Sequence, residues 1–316
     1  MGTPEGPAPK VALAPMPQTV WGGLAVVNFT CGGAGAGAVL GILAAALLAP
    51  VSGRTIRAVE ILGLLLAGAG LAAVGAEAGR PLRGIKVFRH LRRSWMSREA
   101  LAAAVFGALI GLDVVAPGPW QRGVGAAAAF AFMVSQGFLL FAARGVPAWV
   151  TWEIPLLFVT AGLTKGLGLV LVALAVLDGV DAMTAAAEMA TAVVLLGHLA
   201  WIVYSGSREG TPAKQEALAG LRTRWVAAGI VGLGHVVPLV TLVVILGSGG
   251  PRPGTPGWAA AALAGLCMVA GGAILKWAVV ARAGLLHPLG VDVLRSIGRP
   301  LVAGTGPGSA IGSSRG

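Results

Sequence analysis

The chain has 316 residues, of which 56% are hydrophobic and only 11% are charged, and its mean hydropathy is +0.85. A soluble domain carries about 25% charged residues, so this composition excludes an ordinary water-soluble globular protein. The formal net charge of +11 lies mostly between long apolar runs. It therefore indicates membrane orientation rather than nucleic-acid binding.

Eight apolar runs approach or exceed the roughly 20 residues that a helix needs to cross a bilayer. They cover residues 21–48, 56–78, 99–115, 124–143, 149–177, 182–204, 225–246 and 258–281. The polar connection at 205–224 predicts a loop with a short surface helix. The sequence thus predicts an all-α, polytopic integral membrane protein with about eight transmembrane helices in two packed four-helix bundles. Its expected parts are an N-terminal segment at 1–20, a transmembrane domain at 21–283 and a C-terminal tail at 284–316.

The first apolar run contains a repeat of small residues, with Gly33, Gly37 and Gly41 spaced four apart. Such a stripe favours close helix–helix contact in lipid. A dinucleotide-binding loop is excluded, because no strand precedes these glycines and no acidic residue follows at the required distance.

The segment at 79–99 is strongly basic and holds seven of the chain's 23 Lys and Arg residues, namely Arg80, Arg83, Lys86, Arg89, Arg92, Arg93 and Arg98. Charges this dense lie in water or among headgroups, because each costs about 2.5 to 3.5 kcal/mol in hydrocarbon. Two interpretations stay open. The segment only fixes topology, or its Arg89, Arg92 and Arg93 dock an acidic partner subunit.

The distribution of basic residues predicts the orientation. With eight spans, both termini fall on one side, together with 17 of the Lys and Arg residues, and four lie on the other side. The positive-inside rule places both termini in the cytoplasm.

Several polar residues near the cytoplasmic span ends are candidates for one pocket: Glu77, Arg80, Trp95, Glu99, Glu153 and His198. A quinone head needs hydrogen-bond donors at its carbonyl oxygens, a route for protons and an apolar slot for its tail. Arg and Trp donate, and Glu and His relay protons. The alternative is that each is a helix-end charge paired in a loop.

Glu99 is the leading candidate among these residues. Its neighbour Arg98 would stabilise the anion and partial burial would destabilise it, which suits a group that changes protonation.

Two further in-span residues, Lys165 and Glu188, are candidates for a proton path, because a charged group in a span pairs, titrates or lines a wet cavity. Lys276 lies near the end of its span and is expected only to extend its charged end to the interface.

No metal or haem site is predicted in this chain. Cys31 and Cys267 are too few to ligate an iron–sulfur cluster, which needs about four ligands. His198 and His235 fall on neighbouring spans and suggest a haem clamp, but their depths differ by about five residues, or about 7.5 Å of helical rise. Structural or pocket roles are favoured for both histidines.

A G-R-P run at 79–81 and an S-W-M-S-R-E run at 94–99 stand between the second and third of the eight spans. In this placement they resemble the membrane anchor subunits of the dimethyl sulfoxide reductase and polysulfide reductase (NrfD) type. The opening Q-T-V-W and N-F-T-C-G-G-A-G-A-G runs resemble the anchors of phenylacetyl-CoA:acceptor oxidoreductases.

This resemblance implies a quinone-binding subunit of a prokaryotic cytoplasmic membrane, without haem or iron–sulfur cluster of its own. The quinone would be menaquinone or ubiquinone. The implied partners are a four-cluster iron–sulfur subunit and a molybdopterin catalytic subunit. The matching positions are Gly79, Arg80, Pro81, Ser94, Trp95, Ser97, Arg98 and Glu99.

The candidates for the quinone head are Arg80, Trp95, Glu153 and His198 from the residues, together with Ser94, Ser97 and Arg98 of the matching run. The dimethyl sulfoxide reductase branch usually has a His at the position of Glu77. This departure makes Glu77, with Glu99, a candidate proton carrier.

Two other functions stay open. A secondary transporter is favoured by Lys165, Glu153, Glu188 and the proline-interrupted fifth and seventh spans, although no internal repeat is visible. A purely structural anchor would need no polar cluster.

Overall fold

The computed structural model describes residues 15–77, 87–177 and 180–286. Almost all of their regular structure is helical. The helices are α1 Gly23–Leu48, α2 Gly53–Glu77, α3 Trp95–Val115, α4 Pro119–Phe141, α5 Glu153–Val176, α6 Val180–Gly206, α7 Pro212–Leu221, α8 Arg224–Ala227, α9 Val237–Gly247 and α10 Pro256–Trp277. A π-helix, Ala228–Val236, joins α8 to α9 as one rod, and a π-helical turn, Ala278–Arg282, extends α10. Two short strands, β1 Met16–Pro17 and β2 Leu285–Leu286, pair antiparallel.

The prediction of an all-α polytopic membrane protein is confirmed. Seven helical rods are long and apolar enough to cross a membrane, and α3 falls outside this set although it has 21 residues. Arg98, Glu99 and Asp113 lie within α3 and lower its apolar character. The pairing of β1 with β2 holds both ends of the described chain at one end of the bundles. With both ends at one end of the bundles, the described rods make an even number of passes, and α3 is the eighth rod.

The two predicted four-helix bundles are present. The first is a closed ring in which α1, α2, α3 and α4 each contact the next, and α4 returns to α1. The second is formed in the same way by α5, α6, the α8–α9 rod and α10. The bundles meet along a seam where α5 packs against α1 and α4. We call the end that carries β1 and β2 the terminal face, and the other end the opposite face.

The seam is held by backbone-to-backbone contact, which confirms the close packing predicted from the glycine stripe. A Cβ at Gly37 would meet the carbonyl of Gly162, and one at Gly166 would overlap the backbone of Gly37 and Ala38. No side chain separates α1 from α5 at these points, so the two helices approach as closely as helices can.

The residues that precede α1 fold over the terminal face. The Gln18 side chain bonds both the backbone N–H and the carbonyl of Trp21, and its own backbone N–H donates to the carbonyl of Gly284 at 2.7 Å. The Trp21 ring packs 5.5 Å from that of Phe29 and 5.6 Å from that of Trp149. These contacts place Trp21 above the first bundle.

The predicted short surface helix is α7. The side chain of Thr211 caps it by accepting from the backbone N–H of Lys214. Its buried face packs against the π-helical turn after α10 and against β2. It thus ties the second bundle to the strand pair.

Candidate functional site

A cavity of about 280 Å³ opens at the terminal face of the first bundle. Its walls are mostly apolar, and they are formed by α1, α2, α3, α4 and the segment before α1. The lining residues are Val20, Trp21, Ala25, Asn28, Phe29, Val74, Glu77, Met96, Glu99 and Leu139. Two carboxyl groups from different helices therefore share one apolar chamber.

Glu99 is the buried acid of this cavity. It lies one turn into α3 and is 6% exposed. Its Oε1 accepts from Asn28 Nδ2 at 3.1 Å and from Gln136 Nε2 at 3.3 Å. Among the described residues these bonds reach Oε1 alone, so Oε2 is available to a group in the cavity.

Glu77 is the exposed acid of the cavity and lies at the end of α2. Its Oε1 accepts from the backbone N–H of Gly22 at 3.1 Å, which joins the end of α2 to the start of α1. The structure thus places Glu77 and Glu99 on one cavity, the first near water and the second in the interior. Arg80 lies outside the described residues.

Lys276 lies behind Glu99 and is completely buried. Its Nζ donates to the carbonyl of Phe29 at 2.7 Å and contacts Gln136 Oε1 at 3.5 Å. It also lies 4.6 Å from the centre of the Phe158 ring, which is a cation–π distance. The expectation that Lys276 reaches the interface is therefore wrong.

A glycine of α1 explains this inward course. A Cβ at Gly33 would lie 2.6 Å from Lys276 Nζ. The missing side chain leaves the space that the ammonium group occupies. In the sequence, only the Gly32–Gly33 pair indicates this space, and such a pair is equally typical of close helix packing.

The two serines of the 94–99 run build the start of α3. Ser94 is the N-cap, and its Oγ accepts from the backbone N–H of Ser97 at 3.4 Å. Buried Ser97 donates to the carbonyl of Val87 at 2.5 Å. Ser94 thus caps α3 and Ser97 ties α3 to the preceding loop, and neither side chain lines the cavity.

Arg98 serves the same loop. It donates to the carbonyls of Leu91 at 3.0 Å and Arg92 at 2.9 Å, and its guanidinium group lies 4.2 Å from the Trp95 ring centre. The expectation that Arg98 stabilises the Glu99 anion is therefore not met, because these contacts direct its side chain to the loop. The amides of Asn28 and Gln136 take that position at Glu99.

Trp95 also belongs to the framework around the cavity. Its ring stacks on Phe138 of α4, with 4.5 Å between ring centres and 13° between planes. Of the S-W-M-S-R-E run, Met96 and Glu99 line the cavity.

Glu153 and His198 do not line this cavity, which corrects the expectation of one shared pocket. Glu153 is buried in the first turn of α5, and its Oε2 has no hydrogen-bond partner among the described residues. His198 on α6 contacts His235 of the π-helix, with 5.3 Å between ring centres. The two rings thus meet although the sequence predicts about five residues of difference in depth, and His235 lies in a π-helix.

Lys165 and Glu188, the candidates for a proton path, lie in different surroundings. Lys165 is completely buried in α5 and donates to the carbonyl of Ala161, one turn earlier, at 3.0 Å. Glu188 lies on an exposed part of α6. The two side chains form no ion pair within the described part of the chain.

A second charged cluster, near the opposite face, was missed by the sequence analysis. Asp113 of α3 is buried and accepts from Arg122 Nε and from the backbone N–H of Gly118, each at 2.8 Å. Buried Glu60 of α2 adjoins Asp113. The cluster closes the α3–α4 turn. It could have been predicted from the sequence, because Asp113 and Arg122 have opposite charges and flank the P-G-P turn.

The cavity combines apolar walls with two carboxyl groups. Aromatic and aliphatic walls accept a flat apolar molecule, and Glu99 Oε2 can bond to an oxygen on it and exchange a proton with it. Glu77 provides a second acid toward water.

Comparisons with protein-family models and with curated proteins find no match to this chain.

Proposed function

We propose that the chain is the quinone-reacting membrane anchor subunit of a molybdopterin oxidoreductase complex. In this role it exchanges electrons between an iron–sulfur partner subunit and the quinone pool of a prokaryotic cytoplasmic membrane. The multi-pass helical fold provides the frame. The observation that carries the proposal is the cavity in which Glu99 presents one free oxygen between apolar walls.

The cavity matches the needs of a quinone head. Its volume of about 280 Å³ is near the lower end of small-molecule sites, about 300 Å³, so it holds the ring while the tail remains in lipid. Reduction of a quinone takes up two protons. In this proposal Glu99 gives one proton at the quinone oxygen that it bonds, and Glu77, the acid nearer water, supplies the other and is reprotonated from water.

The loop before α3 provides the surface for the partner subunit. Arg89, Arg92 and Arg93 are exposed on it, and Phe88 beside them is 40% exposed. This basic surface favours an acidic partner. The loop leads within a few residues to Met96 and Glu99, so a docked iron–sulfur subunit would lie close to the cavity.

The resemblance of the 79–81 and 94–99 runs to anchor subunits supports the same role. In the structure Ser94 caps α3, and Ser97 and Arg98 bond the preceding loop. In this proposal Glu99 carries the chemistry. The molybdopterin and the iron–sulfur clusters belong to the partners in this proposal.

Glu99→Gln tests the proposal, because it keeps the shape and removes the exchangeable proton. The complex is expected to assemble and to exchange electrons with a soluble dye at the wild-type rate. Electron exchange with a quinone is expected to fall at least tenfold, or about 1.4 kcal/mol of barrier. Glu216→Gln is the matched control, because Glu216 is exposed on α7, and it should leave both rates unchanged.

Unchanged quinone kinetics in an intact Glu99→Gln complex would refute the assignment of Glu99. Isolation of the chain from its native membrane without molybdenum- and iron-containing partners would refute the complex.

A further inference from the structure

We propose that Lys276 sets the protonation of Glu99 through the side-chain amide of Gln136, and that it is therefore a positioning residue for proton exchange at the cavity. The consequence for turnover rests on the quinone function proposed above. The effect on Glu99 itself does not.

The link between the two charged groups has a direction. An ammonium group is only a donor, so Gln136 must turn its Oε1 toward Lys276 Nζ. The other end of the amide, Nε2, then points to Glu99 Oε1 at 3.3 Å. With the amide held this way, Glu99 receives a donor, which favours its anionic form.

Protonation of Glu99 weakens this preference. A protonated carboxyl is a poorer acceptor for Gln136 Nε2, and the Gln136 oxygen to which it could otherwise donate is held by Lys276 Nζ. The amide cannot present oxygen to both groups. Each change of protonation at Glu99 therefore changes the strength of the bond between Gln136 and Lys276.

Burial makes this coupling strong. Lys276 is 0% exposed, and its contacts are a backbone carbonyl, an amide oxygen and the Phe158 ring. Within the described part of the chain, no carboxylate lies at ion-pair distance from it. A buried ammonium without a negative charge nearby is costly. The favoured states are therefore ammonium with carboxylate, or both groups neutral.

The charged surroundings of the pair are few. Glu77 faces the cavity from α2, and α1 and α4 contribute the uncharged amides of Asn28 and Gln136. Lys165 faces from α5, with Cys31 of α1 beside it.

Lys165 provides a matched control. Lys165 packs against Gly272, which lies one turn before Lys276 on α10, and it is equally buried. Its Nζ donates to the carbonyl of Ala161 and, among the described residues, does not bond to Glu99, Asn28 or Gln136.

An infrared pH titration of the full chain in lipid nanodiscs tests the proposal without any quinone. The carbonyl band of protonated Glu99 is assigned by its loss in Glu99→Gln. In Lys276→Met the midpoint of this band should move up by at least one pH unit, a tenfold rise in proton affinity, or about 1.4 kcal/mol. Lys276→Gln can keep the bond to the Phe29 carbonyl without the charge, and it should move the midpoint in the same direction.

Lys165→Met separates the proposal from a general effect of removing a buried charge. Loss of Lys165 removes a positive neighbour of Lys276, so the Glu99 midpoint should stay or move down. A wild-type midpoint in both Lys276 variants would overturn the proposal, and so would an equal upward shift in Lys165→Met.

The quinone kinetics then supply an independent result. In the intact complex, the pH profile of quinone exchange should move with the infrared midpoint in Lys276→Gln. A shifted infrared midpoint combined with quinone kinetics that ignore Glu99→Gln would retain this inference and reject the quinone function.

Discussion

Gly166→Ala should weaken the protein by separating its two bundles. The new Cβ would overlap the backbone of Gly37 and Ala38 on α1. A side chain could rotate away from such a contact, but a helix backbone cannot, so α1 and α5 must move apart. Overpacking costs about 1 to 3 kcal/mol, and the helix preference of Ala over Gly returns up to about 1 kcal/mol. Since the obstacle is backbone, we expect a net loss of about 1 to 2 kcal/mol.

Gly111→Ala in α3 is the matched control, because a Cβ there meets no atom within 4 Å. It should be neutral or stabilise by up to about 1 kcal/mol. Both variants are measured by reversible unfolding in mixed detergent micelles, with helix content followed by circular dichroism. Equal stability of the two variants would refute the argument that the seam is closed by backbone contact.

Two further predictions concern orientation and docking. A reporter that is active only in the cytoplasm should be active when fused after Gly316; activity of an external-only reporter instead would reverse the side assigned to the partner. Replacing Arg89, Arg92 and Arg93 together by Glu should detach the soluble subunits while the anchor stays folded in the membrane. A complex that remains intact at moderate salt would leave these arginines as topology charges only.

The helices were predictable because hydrocarbon imposes a length and an apolar composition on every span. The surface helix α7 was predictable from its polar composition and its proline, and the seam from the repeat of glycines in α1. The shared placement of Glu77 and Glu99 was also expected, since Glu77 ends one span and Glu99 begins the next on the same side.

The course of Lys276 could not be predicted in the same way. Its helix is apolar around its circumference, so periodicity does not say which side faces α1. A lysine near a span end is usually drawn to water, and here the space beside Gly33 draws it inward. The contact of His198 with His235 could not be predicted, because the sequence does not reveal the π-helix in which His235 lies.

The glycine-lined seam has a mechanical consequence. A transporter that alternates between two open sides must rock one helical unit against the other around a central site. Here the two units are in backbone contact near Gly37 and Gly166, with no room for a side chain between them. Lys276 reinforces the joint, since it reaches from the second bundle to the carbonyl of Phe29 in the first. Close contact and a buried cross-link between the bundles favour a fixed arrangement, and this would suit the proposed anchor role better than alternating access.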